Sequence, residues 1–213
     1  MKNVFVSTVF VCLAGCGGGG GSAPTTAGVP ATSPQAQSPA VTERLASYIG
    51  TWSSDCLNHE LETASIVRTP GTTDSINISL KTEYFSAANC SGSLLATETD
   101  TGVFTAKYVA TVNSAIVFAP NASAVPANVD QVTASRTQSR KSVIGSGVVH
   151  TVKNGQAQWC IDFGGGNSTC VWDMGTEPAQ SGATGALFIQ GSDLYVLSPS
   201  GSVYAVDSKF KRK

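Results

Sequence analysis

The sequence predicts an all-β fold: an antiparallel β-barrel, with a β-sandwich as the alternative. Three observations carry this. Only 13% of the 213 residues are charged, about half the share in an average globular chain, and Thr, Ser, Val, Ala and Gly dominate. From residue 64 onward, short runs alternate apolar and polar side chains, the period of a sheet wet on one face. Clusters of Gly, Pro, Asn, Asp and Ser punctuate these runs, giving roughly nine or ten short strands joined by turns.

Taken in order, Met1-Lys2-Asn3 supplies a minimal positive start, and residues 4–13 form an apolar stretch too short to span a bilayer as a helix. Residues 1–15 therefore read as a secretory signal. The segment 16–39 opens with Gly17 to Gly21 and continues through Pro, Ser, Thr and Ala, so nothing in it can pack a core. Its glycines follow no strand and precede no Gly-Lys-Ser/Thr, which excludes a phosphate loop. As a flexible, disordered linker of about 23 residues it would span roughly 27 Å. Residues 40–213 have the length of one domain with a real core.

In that domain Ser38-Pro39 or Thr42-Glu43 would cap a short helix through Leu45 and Tyr48 that stops at Gly50. The run 64–68 finds its partner across Pro70-Gly71-Thr72-Thr73. In the partner, Ile76, Ile78, Leu80, Thr82 and Tyr84 alternate with Asn77, Ser79, Lys81 and Glu83. Further strands are expected at 94–99, 103–112, 115–118, 129–134 and 143–152, then in a hairpin around Cys160 and a meander over 186–206. The cluster Lys209-Phe210-Lys211-Arg212-Lys213 reads as a solvated tail, contact with anionic lipid being the sharper alternative.

Of six cysteines, Cys12 falls within the signal and Cys16 at its end, leaving Cys56, Cys90, Cys160 and Cys170. An even number in an exported chain means disulfides, and four cysteines allow three pairings. If Gly164 to Gly166 form a hairpin loop, Phe163 faces Asn167 and Cys160 lies opposite Cys170. That pairing leaves Cys56 with Cys90, and puts Trp159, Ile161, Phe163 and Val171 on the other, core-facing side. The spread of the four cysteines, with no Cys-x-x-Cys, argues against zinc.

No catalytic constellation emerges. There is no Gly-x-Ser-x-Gly elbow and no His-Glu-x-x-His, and His59 and His150 stand far apart. Glu60 with Glu62, and Glu98 with Asp100, read as solvated edge charges rather than a glycosidase pair. A non-enzymatic protein without cofactor or metal is expected. Thirteen basic against fourteen acidic side chains, and about −2 net once Lys2 leaves with the signal, give no electrostatic case for nucleic acid. A monomer is expected.

Two resemblances add to this. Leu13-Ala14-Gly15-Cys16 resembles the lipobox of bacterial lipoproteins. That resemblance implies acyl chains of palmitate type on Cys16, cleavage before it, and a stable membrane anchor. Gly17, unlike an aspartate at that position, is similar to what proteins sent to the outer membrane carry, so the expected place is the cell envelope, at the outer membrane.

The segment Tyr48-Ile-Gly-Thr-Trp-Ser-Ser-Asp-Cys56 resembles the Gly-x-Trp opening of lipocalins, carried here by Gly50 and Trp52. Followed by Tyr84-Phe85, Cys90 and Leu94, it is similar to the lipocalin-like domain of the adenomatosis-polyposis-coli-down-regulated membrane proteins. The match covers about residues 48–99. It implies a barrel whose floor is Trp52, a disulfide stapling the first strand to a neighbouring hairpin, and a lumen that binds a lipid acyl chain. The Thr-Asp-Tyr motif of lipocalins is absent, its nearest relic being Ser192-Asp193-Leu194-Tyr195. The arginine that packs on the tryptophan has no clear counterpart, with Lys209 and Arg212 standing after the last expected strand. The implied function is a lipid-anchored protein that binds a small hydrophobic ligand such as an acyl chain, with Ile76, Ile78, Leu80 and Tyr84 as candidate wall. The alternative is a surface structural or interaction protein with a packed barrel. Interior volume separates the two, since an apolar cavity of about 300 Å³ or more favours a ligand.

Overall fold

The computed structural model describes residues 43–213. The expected signal segment, the expected lipid-attachment residue Cys16, the expected linker and the expected capping residues Ser38, Pro39 and Thr42 lie outside the described residues. The strands are β1 (Gly50–Ser53), β2 (Glu60–Arg68), β3 (Ser75–Phe85), β4 (Leu94–Asp100), β5 (Phe104–Val117), β6 (Val125–Arg136) and β7 (Ser139–Ile144). They continue as β8 (Val148–Lys153), β9 (Gln156–Gly164), β10 (Asn167–Trp172), β11 (Thr176–Glu177), β12 (Gln180–Gln190), β13 (Asp193–Ser200) and β14 (Val203–Arg212).

The pairings close on themselves. Strand β3 pairs with β4 through Lys81–Phe85 and with β5 through Ser75–Ile78, so β4 and β5 act as one bent stave. Likewise β7 extends β6 beside them, and β11 extends β12. The ring is then β1, β2, β3, β4/β5, β7/β6, β11/β12, β13 and β14, eight antiparallel staves. Trp52 opposite Arg212 and Ser53 opposite Lys211 close it. This is an antiparallel barrel in meander order, whose closure removes the sheet edges. Near one end the ring is pinched, because Ile116 and Val117 of β5 pair in parallel with Tyr204 and Ala205 of β14.

Side-chain oxygens hold the bends in the staves. At 101–103 the ladder is interrupted, and the Gly102 amide donates to Asp100 Oδ1 at 2.8 Å, the Val103 amide to Thr137 Oγ1 at 3.0 Å and the Arg140 amide to Thr101 Oγ1 at 2.9 Å. Donors that a continuous strand would satisfy are met locally by Asp and Thr.

Several elements differ from expectation. The expected N-terminal helix is only a 3-10 turn, Ala46–Tyr48, entered through Leu45 at φ 62°. The runs 103–112 and 115–118 form the single strand β5, its register shifted by a bulge between Tyr108 and Ala110. The run 143–152 divides into β7 and β8, because at Gly145 a Cβ would collide with the Leu95 carbonyl, and the Gly147 amide donates to that oxygen at 3.0 Å. All of the basic cluster expected as a tail except Lys213 lies in β14. There Phe210 is buried, Lys211 pairs with Asp55 at 2.7 Å and Lys209 with Asp193 at 2.7 Å.

Strands β8, β9 and β10 form a separate antiparallel sheet inserted between β7 and β11. Ile161 anchors it in a cluster with Tyr84, Ala96 and Val143, and Trp159, Phe163 and Val171 pack against that cluster. In the hairpin Asn167 faces Gly164, not Phe163, because Gly165 and Gly166, at φ 64° and 83°, make a two-residue turn. A bulge between Asn167 and Ser168 then restores the register, so Cys160 does lie opposite Cys170. Both disulfides are present, Cys160–Cys170 and Cys56–Cys90.

Cys56–Cys90 spans 34 residues and Cys160–Cys170 spans 10. The longer loop restrains the unfolded chain more. Replacing both Cys56 and Cys90 by serine is expected to lower stability by about 3–4 kcal/mol, against about 2.5–3 kcal/mol for the other pair. Urea unfolding midpoints of the two double variants check the order.

Candidate functional site

Inward positions two residues apart on each stave build the site. They are Glu62, Ala64 and Ile66 on β2, Ile78 and Leu80 on β3, Phe104 and Ala106 on β5, and Val132 and Ala134 on β6. Leu187, Leu194 and Phe210 complete the wall from β12, β13 and β14. Together they line an open-mouthed cavity of about 390 Å³ with a mainly apolar lining. An eight-stranded barrel can be filled by its own side chains or hold one small ligand. Here small residues decide: Ala106 lies directly opposite Ala134, Ala134 opposite Ala183, and Gly185 opposite Val132. Side chains this short leave the middle of the barrel open.

Trp52, the expected floor, is 0% exposed and clustered with Leu45, Tyr48 and Ile76. Its Nε1 donates to the Tyr48 carbonyl at 2.7 Å. The Arg212 guanidinium stands 4.2 Å from the Trp52 ring centroid, while its Nη2 donates to Ser47 O at 2.6 Å and its Nη1 to Ile49 O at 3.3 Å. Arg212 thus occupies the place for which the sequence offered no clear counterpart. Gly50 is at φ 140°, and a Cβ there would lie 3.3 Å from Arg212 Nη1, so glycine both permits the backbone and clears the guanidinium.

A second cavity of about 170 Å³ shares Glu62, Leu80 and Phe104 with the lumen and adds Glu98, Asp100, Arg136 and Lys141. We refer to it as the charged annex. Arg136 pairs with Glu177 at 2.5 Å and Asp100 at 4.0 Å, and its guanidinium lies 5.7 Å from the Phe104 ring centroid. Lys141 pairs with Glu98 at 2.9 Å, and the Tyr84 hydroxyl donates to the other Glu98 oxygen at 2.8 Å. Burial opposes charge on Lys141, but Glu98, Asp100 and Glu177 outweigh it and hold its pKa above the usual lysine value. Burial first, then Glu98, Glu60 and Glu62, push the Tyr84 hydroxyl up.

Of the candidate wall residues, Ile78 and Leu80 line the lumen. Ile76 does not line the lumen but packs in the core cluster that holds Trp52, and Tyr84 packs against the inserted sheet with its hydroxyl on Glu98. Sequence reasoning missed the wall from β5, β6, β12, β13 and β14. The alternation of Phe104 with Ala106 and of Val132 with Ala134 carried a signal, whereas flanking lysines masked Phe210. His59 stacks on Phe163 with centroids 4.0 Å apart, and His150 lies 3.7 Å from Asp173.

Two buried tyrosines give the barrel a predictable response to alkali. Burial first, then the hydrogen bond to Asp130 at 2.8 Å, push the Tyr48 hydroxyl far up, as happens to Tyr84. Unfolded tyrosines ionise near pH 10, when the folded ones remain protonated. Above about pH 10 the unfolded state therefore binds fewer protons, and stability that is full below that pH falls by up to about 1.4 kcal/mol per pH unit for each tyrosine. Unfolding midpoints measured on either side of this pH check the slope, which Tyr48→Phe should reduce.

Fold and site together define an antiparallel eight-stave barrel with an apolar lumen and a charged annex. Comparison with known proteins yields no match to a family model, to a curated protein or to a solved structure.

Proposed function

We propose that this is a lipid-anchored protein of the bacterial cell envelope, held at the outer membrane through Cys16, whose barrel binds one small hydrophobic ligand of acyl-chain type without transforming it. The apolar lumen carries this reading. Its volume of about 390 Å³ falls in the range of ligand pockets, about 300–1,000 Å³. A barrel packed solid, as a purely structural role would favour, would leave no such space. Neither His59 nor His150 is among the residues that line the lumen, where Ser198 and Ser208 supply hydroxyls. Binding without catalysis suits that lining.

Native mass spectrometry of the full chain expressed in a bacterial host tests both halves of the proposal. The expected result is a mature chain that begins at an acylated Cys16 and carries a small apolar adduct released on unfolding. A chain that retains residues 1–15 overturns the anchor. A barrel that carries no adduct and takes up no aliphatic chain overturns the ligand.

A further inference from the structure

We propose that the barrel docks on the anionic phospholipid surface of the membrane that holds its anchor, through the end at which β2 turns into β3; this rests on the anchor reading above. Two observations carry it: where the chain from Cys16 meets the barrel, and which charges surround that point. Glu43, 27 positions after Cys16, pairs with Arg68, the last residue of β2, at 2.9 Å. The Arg44 amide donates to the Thr73 carbonyl, in the turn that follows, at 3.1 Å. A coil of the linker's composition reaches roughly 29 Å over that length, so acyl chains on Cys16 keep this end of the barrel near the head groups.

The charges at this end do not balance. Glu43 and Asp74 are matched by Arg68 and Lys107, and Asp193 by Lys209. Arg44, Arg212 and Lys213 are exposed and have no carboxylate partner among the described residues. The Arg44 guanidinium lies 5.2 Å from the Tyr108 ring centroid, and Arg212 donates to the Ser47 and Ile49 carbonyls. Neither contact cancels a positive charge. The one carboxylate here without a cation is Asp130, which accepts from the Tyr48 and Thr111 hydroxyls. Three cations against one carboxylate leave a local positive excess, although the mature chain as a whole carries about −2. Phosphodiesters supply the acceptors these cations lack, and a guanidinium can take them two at a time. A second copy of the same end would meet it with like charge instead. Val67 and Val109, next to Arg68 and two residues beyond Lys107, are each more than half exposed and add apolar contact for the interfacial layer.

The test is hydrogen–deuterium exchange of the full acylated chain reconstituted in phosphatidylcholine vesicles with and without phosphatidylglycerol. Amides of residues 44–51 and 107–109 are expected to exchange at least about fivefold more slowly on the anionic vesicles, the scale of one cation at such a surface, and molar salt should remove the difference. Arg44→Gln and Lys213→Gln should each cut this protection about fivefold, while Lys153→Gln, on the inserted sheet, should leave it unchanged. Exchange equal to the parent's on neutral vesicles shows that a variant keeps its fold. Identical exchange on both vesicle types, or protection that survives molar salt or both substitutions, overturns the docking and leaves the anchor reading standing. Equal protection from inorganic phosphate alone, or protection confined to the inserted sheet, overturns it as well. A chain that does not stay with either vesicle overturns the anchor reading itself.

Discussion

Trp52→Ala is expected to cost about 3–5 kcal/mol, the largest loss from any single truncation in the barrel. Three contributions converge on this side chain. Its indole is 0% exposed and packs with Leu45, Tyr48 and Ile76, so its removal leaves a void that the closed ring of strands cannot collapse to fill. The Tyr48 carbonyl loses the donor that now reaches it at 2.7 Å. Arg212 loses the ring face 4.2 Å beneath it, a contact worth about 0.5–1 kcal/mol where the cation is exposed. Denaturant unfolding of Trp52→Ala, Arg212→Ala and the double variant separates packing from the cation–ring contact. The coupling between the two should be positive and below about 1 kcal/mol, with most of the loss present in Trp52→Ala alone. Because Trp52 and Arg212 are also the residues at which β1 meets β14, this loss should open the barrel rather than loosen it locally.

Ala134→Phe is expected to weaken ligand binding more than about 100-fold while leaving stability within about 1 kcal/mol or raising it. Ala134 faces Ala106 across β5 and β6 and Ala183 across β12, and lines the lumen. A phenyl ring there enters empty space bounded by apolar side chains. It buries apolar surface without displacing packed atoms, so the usual overpacking penalty is reduced. The volume it takes is the volume a ligand needs. Thermal unfolding with and without an aliphatic ligand reads both effects at once. The parent chain should melt higher with ligand, as mass action requires, and the variant should show no such shift. A variant that still gains stability from the ligand would place the binding site elsewhere on the molecule.

These two sites illustrate what alternation can and cannot encode. The period-two pattern from Ile76 to Tyr84 identifies one inward face, and that face is real. Yet Ile76 packs with Trp52 outside the lumen lining, Ile78 and Leu80 line the lumen, and Tyr84 lies under the inserted sheet. Depth along a barrel is not a property of one strand; it follows from which strands flank it and with what stagger. The Cys160–Cys170 pair was legible because a hairpin fixes its own register over a few residues. Its turn was off by one position, since a bulge is a compensation that only the paired strands reveal. Phe210 was hidden by Lys209, Lys211 and Lys213. Three lysines in five residues resemble a solvated tail, although alternation in β14 turns the lysines outward and Phe210 inward.

By itself the sequence determined the strand-rich composition, the positions of most turns, the disulfide framework and the glycine and tryptophan of the first strand. Each of these is local, set by side-chain period, backbone permissiveness or the register of a single hairpin. Only the tertiary structure decided that the strands close into eight staves, that Arg212 caps Trp52 and that the interior is hollow. It also gathered Glu62, Glu98, Arg136 and Lys141 from four strands into one charged annex. The physical reason is the same throughout. A cavity and the potential inside it are sums over residues distant in the chain, and no single segment carries the sum.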